Sequence, residues 1–281
     1  MHKHVVVNHR LVEASKARLR AAGGAALHGR GVFTTLAVYR GRPFLWDEHW
    51  TRLVNHARRA GVECPFAEAE AARSLARLIE ANGVERGRAR LTVLSRGAGG
   101  VWQPPGGEGS DLLILTADAR ERDTEALALT VSPFRANTCS PLAGLKTVNY
   151  LERVLAWEEA RGRDFDEAVV LNERGEVASA ALANIFWVRQ GTVHTPALAT
   201  GALAGTTRAR VMELAEALAV PLVEVAHTLH DLADAEEIFL TSSGLGVALV
   251  TSFDFHRYSV PVGSPALRLR EAFRQLTLDA F

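Results

Sequence analysis

Ser140-Pro141-Leu142-Ala143-Gly144-Leu145-Lys146-Thr147-Val148-Asn149-Tyr150-Leu151-Glu152 is the stretch on which the reading of this chain turns. Of 32 basic residues three are lysines, and the other two, Lys3 and Lys16, lie near the N-terminus. Wherever the chain needs a fixed positive charge it uses arginine, which keeps its proton, whereas a desolvated lysine gives up its proton readily. A lysine kept in an apolar run points to chemistry that needs a free amine, such as a Schiff base to a carbonyl compound. The alternative is a lysine that snorkels from the start of a helix, since the spacing predicts a helix over 147–160.

Outward from this segment the pattern is mixed α and β. On its N-terminal side, Val5–Val7 and Val32–Tyr39 read as strands, and Arg40-Gly41-Arg42-Pro43 reads as a turn into Phe44-Leu45. Apolar residues recur at helical spacing over 47–60 and 67–81, closed by Gly61 and by Asn82-Gly83. Strands follow at 90–94 and 112–116, separated by a Gly/Pro-rich loop, 96–107, too long for a simple hairpin. A charged stretch, 117–125, reads as a linker. The resulting division is a small N-terminal α/β domain (1–118), a linker (119–126) and a larger C-terminal domain (127–281).

The second half reads as strands at 127–132, 166–171 and 184–188, a turn at Asn172-Glu173-Arg174-Gly175, and a hairpin return over 191–196. Helices are predicted over 206–219 and 265–276, with strands at 237–241 and 247–251 between them.

Composition excludes several classes. The net charge is zero, with acids dispersed among the arginines, so nothing marks a nucleic-acid surface. No stretch approaches the roughly 18 apolar residues of a membrane span. The N-terminus turns polar too quickly for a signal peptide. The two cysteines, Cys64 and Cys139, lack metal-type spacing, and ten scattered histidines form no ligand pair, so no metal is expected and a reducing cytoplasm is.

Three further sites bear on chemistry. Leu203-Ala204-Gly205-Thr206-Thr207-Arg208 opens a helix, where backbone amides and hydroxyls suit a phosphate or where the threonines act as ordinary caps. Thr241-Ser242-Ser243-Gly244, just after a strand, carries the same two readings. Arg52 falls among Trp50, Leu53 and His56 on an apolar helix face, where a buried cation needs an anion. An amine, a phosphate cradle and a buried arginine together suit pyridoxal phosphate.

The chain resembles the class IV, fold-type IV pyridoxal-phosphate enzymes, among them branched-chain and D-amino acid aminotransferases and 4-amino-4-deoxychorismate lyases. The matching pieces are Gly31-Val32-Phe33-Thr34-Thr35, the His49…Arg52-Leu53 helix, Leu94 to Gly100, Leu142 to Glu152, Asp166 to Asn172, Ala183-Asn184-Ile185-Phe186, Thr195-Pro196 and Gly205-Thr206-Thr207-Arg208. Phe-Thr-Thr with Ser-Arg-Gly-x-Gly-Gly and Leu-Ala-Gly-Leu-Lys most resembles the lyases, which release pyruvate from aminodeoxychorismate to give 4-aminobenzoate for folate synthesis. The resemblance implies a two-domain fold whose larger domain is a mixed, barrel-like sheet with helices, and pyridoxal 5'-phosphate as cofactor. It implies a homodimer acting on a small molecule. It makes Lys146 the lysine joined to the cofactor and the proton carrier. Arg52, Thr206, Thr207 and Ser243 are then phosphate ligands, Tyr150 a neighbour of the ring hydroxyl, Thr34 or Thr35 substrate-facing, and Arg96 a holder of substrate carboxylate.

Three positions depart from that pattern. Where relatives carry a glutamate for the pyridine nitrogen, this chain has Ser179, which hydrogen-bonds but does not stabilise a pyridinium. Strand alternation turns Glu176, three residues away, to the opposite side. Arg30 replaces a common acid, and Val101-Trp102 replaces a second arginine after Gly-Gly. The functional expectations are therefore a lyase first, a class IV aminotransferase on branched-chain or D-amino acids second, and a relative with weakened cofactor chemistry third.

Overall fold

The computed structural model describes residues 2–97, 109–119 and 126–280. The expected glycine-rich loop beyond residue 97, with Val101 and Trp102, and the centre of the expected linker, 120–125, lie outside the described residues. The chain divides into two compact units. The first takes in 1–121 and Leu145–Asn149; the second takes in 122–144 and Tyr150–Asp279. The pentapeptide around Lys146 thus falls within the stretch 127–281, and its contacts are with the first unit.

In the first unit β1 (His4–Val7), β2 (Arg10–Glu13), β3 (Gly31–Tyr39), β4 (Arg42–Pro43), β5 (Arg86–Ser95) and β6 (Ser110–Asp118) form one antiparallel sheet in the order β2-β1-β6-β5-β3-β4. Its helices are α1 (Gly24–His28), α2 (Trp46–Arg59) and α3 (Glu68–Asn82). Side chains alternate across a strand. Val32, Leu36 and Val38 of β3, with Ala89, Leu91 and Val93 of β5, therefore pack into a core with Leu53 and Ala57 of α2 and Leu75 and Leu78 of α3. Phe33, Thr35, Arg88 and Arg90 take the other face, in the register Phe33↔Thr92, Thr35↔Arg90 and Ala37↔Arg88. Arg40 and Gly41 join β3 to β4 at φ 49° and 71°, the positive values that a two-residue hairpin turn of matching twist demands. β6 runs on to Asp118, pairing with Gly87, so the first residues of the expected linker are strand.

In the second unit β7 (Ala126–Ala136), β8 (Glu167–Asn172), β9 (Val177–Ala180), β10 (Asn184–Arg189), β11 (Thr192–Pro196), β12 (Leu222–Val225), β13 (Glu237–Ser242) and β14 (Gly246–Phe253) follow the order β12-β11-β10-β13-β14-β7-β8-β9, with β15 (His256–Arg257) on β14. The pairs β7/β8, β7/β14 and β11/β12 are parallel. The chain passes from edge strand β9 to interior strand β10 through a turn closed by Ala180 N–H to Ala183 O at 3.0 Å, which curls the sheet in the manner of a partial barrel. Helices α4 (Leu151–Gly162), α5 (Thr206–Ala217), α6 (Leu229–Ala233) and α7 (Pro265–Asp279) complete the unit. Paired Phe186 and Phe239 stack at 4.9 Å, while Ile185, Trp187, Ile238 and Leu240 point to the opposite, equally buried face. A strand buried on both faces reads as a continuous apolar run. The α/β, two-unit architecture agrees with the expected fold class. Among the described residues no helix is long and apolar enough to cross a membrane.

One expected element is corrected. The helix predicted from Thr147 begins at Leu151. Thr147 bridges Val32, Phe33 N–H donates to Lys146 O at 2.9 Å, and Val148 N–H donates to Gly31 O at 3.0 Å. The backbone groups that a helix would use are committed to the edge of β3.

Candidate functional site

Lys146 is delivered by this edge pairing rather than by a helix start. The Val32–Thr147 bridge places Lys146 opposite Phe33, so both side chains lie on the face of the sheet away from the core. Lys146 Nζ stands 4.7 Å from the centre of the Phe33 ring, and Arg90 Cζ stands 3.6 Å from it. Thr35 shares that face and is half-buried. The backbone of Lys146 is fixed as well, because its N–H donates to His56 Nδ1 at 3.0 Å. That bond requires a lone pair on Nδ1. His56 accordingly stays neutral, its pKa lowered to about 4 by burial first and then by Arg52, Arg59 and Lys146.

On the core side of β3 lies a second cluster. Arg52 Nη2 donates to Thr34 Oγ1 at 2.9 Å, Thr34 Oγ1 lies 2.7 Å from His49 Nδ1, and Arg52 Nη2 is 3.4 Å from the same nitrogen. A guanidinium facing Nδ1 favours a lone pair there, so the Thr34 hydroxyl accepts from Arg52 and donates to His49. Burial, then Arg52 and Lys146, hold His49 well below its ordinary range. Thr34 is 1% exposed. Of the two threonines expected to face substrate, it braces Arg52, and Thr35 lies on the lysine face. Arg96 donates from Nε to Asp111 at 2.8 Å, and Asp111 also accepts from Asn8 at 2.7 Å. Arg30 lends its backbone carbonyl to Ser95 N–H at 3.0 Å.

In the second unit, Thr206 and Thr207 open α5 and are buried, and Gly205 at its N-cap has no side-chain cap. A β-carbon on Gly205 would stand 2.1 Å from Asn184 Oδ1, while Asn184 Nδ2 donates to Leu203 O at 2.9 Å. Asn184 thus ties down the loop that enters the helix. Across the sheet Asn184 pairs with Thr241, whose fully buried Oγ1 has no hydrogen-bond partner among the described residues. Ser243 follows in the turn from β13 to β14, where Leu245 N–H donates to Ser242 O at 3.1 Å. An uncapped helix N-terminus, two threonines and a hydroxyl awaiting a partner make a corner that suits a phosphate.

Ser179, on β9, is buried, and Arg153 of α4 donates to its Oγ at 2.5 Å. Tyr150 stands at the N-cap of α4, one turn before Arg153. Glu167, at the start of β8, accepts from Ala168 N–H and Leu182 N–H at 3.1 Å each. Burial pushes its carboxyl up to about 7 against the pull of those amides and of Arg153. Desolvation likewise lowers Arg153, which Tyr150 and Glu167 partly offset. Glu176 is committed elsewhere, to Arg174 and to Asn172 at 2.7 Å.

A model of the amino-transferase class IV family matches residues 31–253. The chain belongs to that family. Among similar proteins is an aminodeoxychorismate lyase of Bacillus subtilis, 28% identical over 96% of this chain and 94% of that protein. A D-alanine aminotransferase of Bacillus licheniformis is 28% identical over 89% and 88%. A branched-chain amino acid aminotransferase from T.th., solved with pyridoxamine 5'-phosphate, superposes with a TM-score of 0.87 at 27% identity, covering 99% of this chain and 94% of that one. Class IV enzymes depend on pyridoxal 5'-phosphate. Each unit of this class IV chain, taken by itself, holds residues that suit part of that group: in the first a primary amine at Lys146, which suits an aldehyde, and in the second the α5 corner with its Thr241 hydroxyl, which suits a phosphate.

Sequence reasoning missed His49, His56, Arg153 and Glu167. The available signals were two histidines seven residues, or two helical turns, apart on the α2 face that carries Leu53, and an acid opening the wholly buried strand Glu167–Asn172.

Proposed function

We propose that the protein is a pyridoxal-phosphate-dependent lyase that releases pyruvate from 4-amino-4-deoxychorismate to give 4-aminobenzoate, the folate-route reaction, in the cytoplasm and as a homodimer. The observation that carries this reading is that the Lys146 amine and the Arg90 guanidinium flank one aromatic ring, Phe33, on one face of the sheet. A substrate with two carboxylates needs a fixed cation beside the reacting amine, and arginine binds carboxylate in a planar fork. Thr35, across from Arg90, adds a hydroxyl to that face.

In this reading Lys146 holds the cofactor through its amine and, once released, moves the proton at the substrate carbon. Arg52, Thr206, Thr207 and Ser243 hold the phosphate, and Tyr150 approaches the ring hydroxyl. The cofactor supplies the electron sink. His56 and the β3 edge keep the Lys146 backbone in place while its side chain moves, and Thr34 and His49 keep Arg52 aimed. Arg96 binds a substrate carboxylate only after leaving Asp111.

Aminotransferase action on branched-chain or D-amino acids is the second reading, favoured by the likeness to the T.th. and Bacillus licheniformis enzymes. Purified holoenzyme incubated with aminodeoxychorismate separates the two: 4-aminobenzoate and pyruvate should appear in equal amounts. Turnover confined to the amino acids with a keto-acid acceptor would reject the lyase reading.

A further inference from the structure

We infer that Arg153 and Ser179 together form the partner of the cofactor's ring nitrogen and hold that nitrogen unprotonated. The inference rests on the cofactor reading above and concerns residues of the second unit alone. An arginine offers five N–H donors and no acceptor. In the 2.5 Å contact, therefore, Ser179 Oγ receives the hydrogen from Arg153, and the serine keeps its own hydrogen to donate. A group that takes this remaining hydrogen must bring a lone pair, whereas a donor would have to crowd onto the oxygen's last lone pair beside the guanidinium. A pyridine nitrogen has one; a pyridinium does not.

Charge points the same way. A protonated ring beside Ser179 would add a second cation next to a guanidinium, and like charges disfavour the charged form. Two carboxylates act on the Arg153 guanidinium: Glu167, whose oxygens accept from the amides of Ala168 and Leu182, and Glu152; among the described residues neither is hydrogen-bonded to Ser179. Glu176, the one acid within three residues of Ser179 in the sequence, is held by Arg174 and Asn172. The chain has thus placed a donor relay where a carboxylate acceptor would stabilise a pyridinium. Arg153 acts through Ser179 and is a positioning residue. The consequence is a weaker electron sink, which suits an elimination that ends in an aromatic product better than a full amino transfer.

The test uses holoenzyme loaded with pyridoxal phosphate labelled with ¹⁵N in the ring. Borohydride reduction and mass spectrometry come first. Absence of added mass on Lys146 would reject the cofactor reading itself. With the mass present, the ring ¹⁵N resonance of the wild type should fall in the pyridine range at neutral pH, and Ser179→Thr should leave it there. The double variant Arg153→Asn/Ser179→Glu should move it to the well-separated pyridinium range. A pyridinium resonance in the wild type, or a double variant that stays in the pyridine range, overturns the inference while leaving the cofactor assignment intact. Should the double variant fail to load, the wild-type resonance alone decides.

Discussion

Thr34→Val tests whether the threonine next to Phe33 serves as a brace or as a substrate contact. The two side chains are nearly isosteric, so no cavity opens, and the effect is confined to the hydroxyl. In the wild type that hydroxyl accepts from Arg52 at 2.9 Å and satisfies His49 Nδ1 at 2.7 Å. Arg52 is half-buried and can turn to water; His49, 1% exposed, cannot. Losing the Thr34 donor leaves His49 Nδ1 with the long 3.4 Å contact to Arg52, a loss of about 1–3 kcal/mol. For a chain of this size each kcal/mol moves the melting temperature by roughly 2–4 °C, so the variant should melt about 2–12 °C lower. Urea unfolding of the apoprotein should show a lower midpoint with an unchanged slope, since the surface exposed on unfolding is the same. Thr34→Ser keeps the hydroxyl and should recover most of the loss. If Thr34→Val unfolds at the wild-type midpoint while KM for substrate rises, the bracing argument is wrong and Thr34 faces the substrate.

Other consequences follow from the same geometry. His56 has a folded pKa of about 4 against an ordinary 6.5, so its contribution to stability is full above 6.5 and is lost as pH falls toward 4, by about 3 kcal/mol. Glu167, raised from 4.5 to about 7, works in the opposite sense: its contribution is full below 4.5 and is lost as pH rises through 7, by a similar amount, about 3 kcal/mol. The two slopes oppose each other between 4.5 and 6.5; denaturation of His56→Asn across this range should leave the decline toward high pH, and Glu167→Gln the decline toward low pH. Gly205 has an ordinary φ of −72°, so Gly205→Ala strains nothing but space: its β-carbon meets Asn184 Oδ1. It should weaken cofactor retention and cost about 1–3 kcal/mol, and adding Asn184→Ala should return part of both, as read by a double-mutant cycle. Leu151 and Leu155, one turn apart on α4, are 66% and 44% exposed; changing both to glutamate should turn a sedimenting dimer into monomer, and a wild type that sediments as monomer would remove the dimer from the proposal.

Strong periodicity made the long elements legible. The alternation of Val32–Tyr39 and the helical spacing after Asp47 survive in β3 and α2 with bounds shifted by about a residue, as local pattern and tertiary packing agree there. The Lys146 segment was misread for a physical reason. Thr147 and Val148 start what looks like a helix because Leu151, Val154 and Leu155 continue it, yet their backbone groups find stronger use at the open edge of β3, far away in sequence. Short edge strands such as Arg10–Glu13, Leu222–Val225 and His256–Arg257 carry too few residues to show a period. Of the candidate site residues, Lys146, Arg52, Thr206 and Thr207 stood out in the sequence by composition and motif. Arg153 did not, since one arginine among many on a charged helix carries no signal until Ser179 is seen beside it.

The edge pairing of Leu145–Asn149 means that the first unit is not encoded by its own contiguous sequence. A fragment ending at residue 121 would lack the strand that accepts from Phe33 N–H and donates to Gly31 O, and it would display that bare half of β3 to any other chain in solution. Such a fragment should self-associate through this edge, and a short peptide spanning 145–149 should cap it. The pentapeptide that carries the Lys146 amine also guards the sheet against adding foreign strands, so losing the segment would open the sheet to self-association as well as remove that amine.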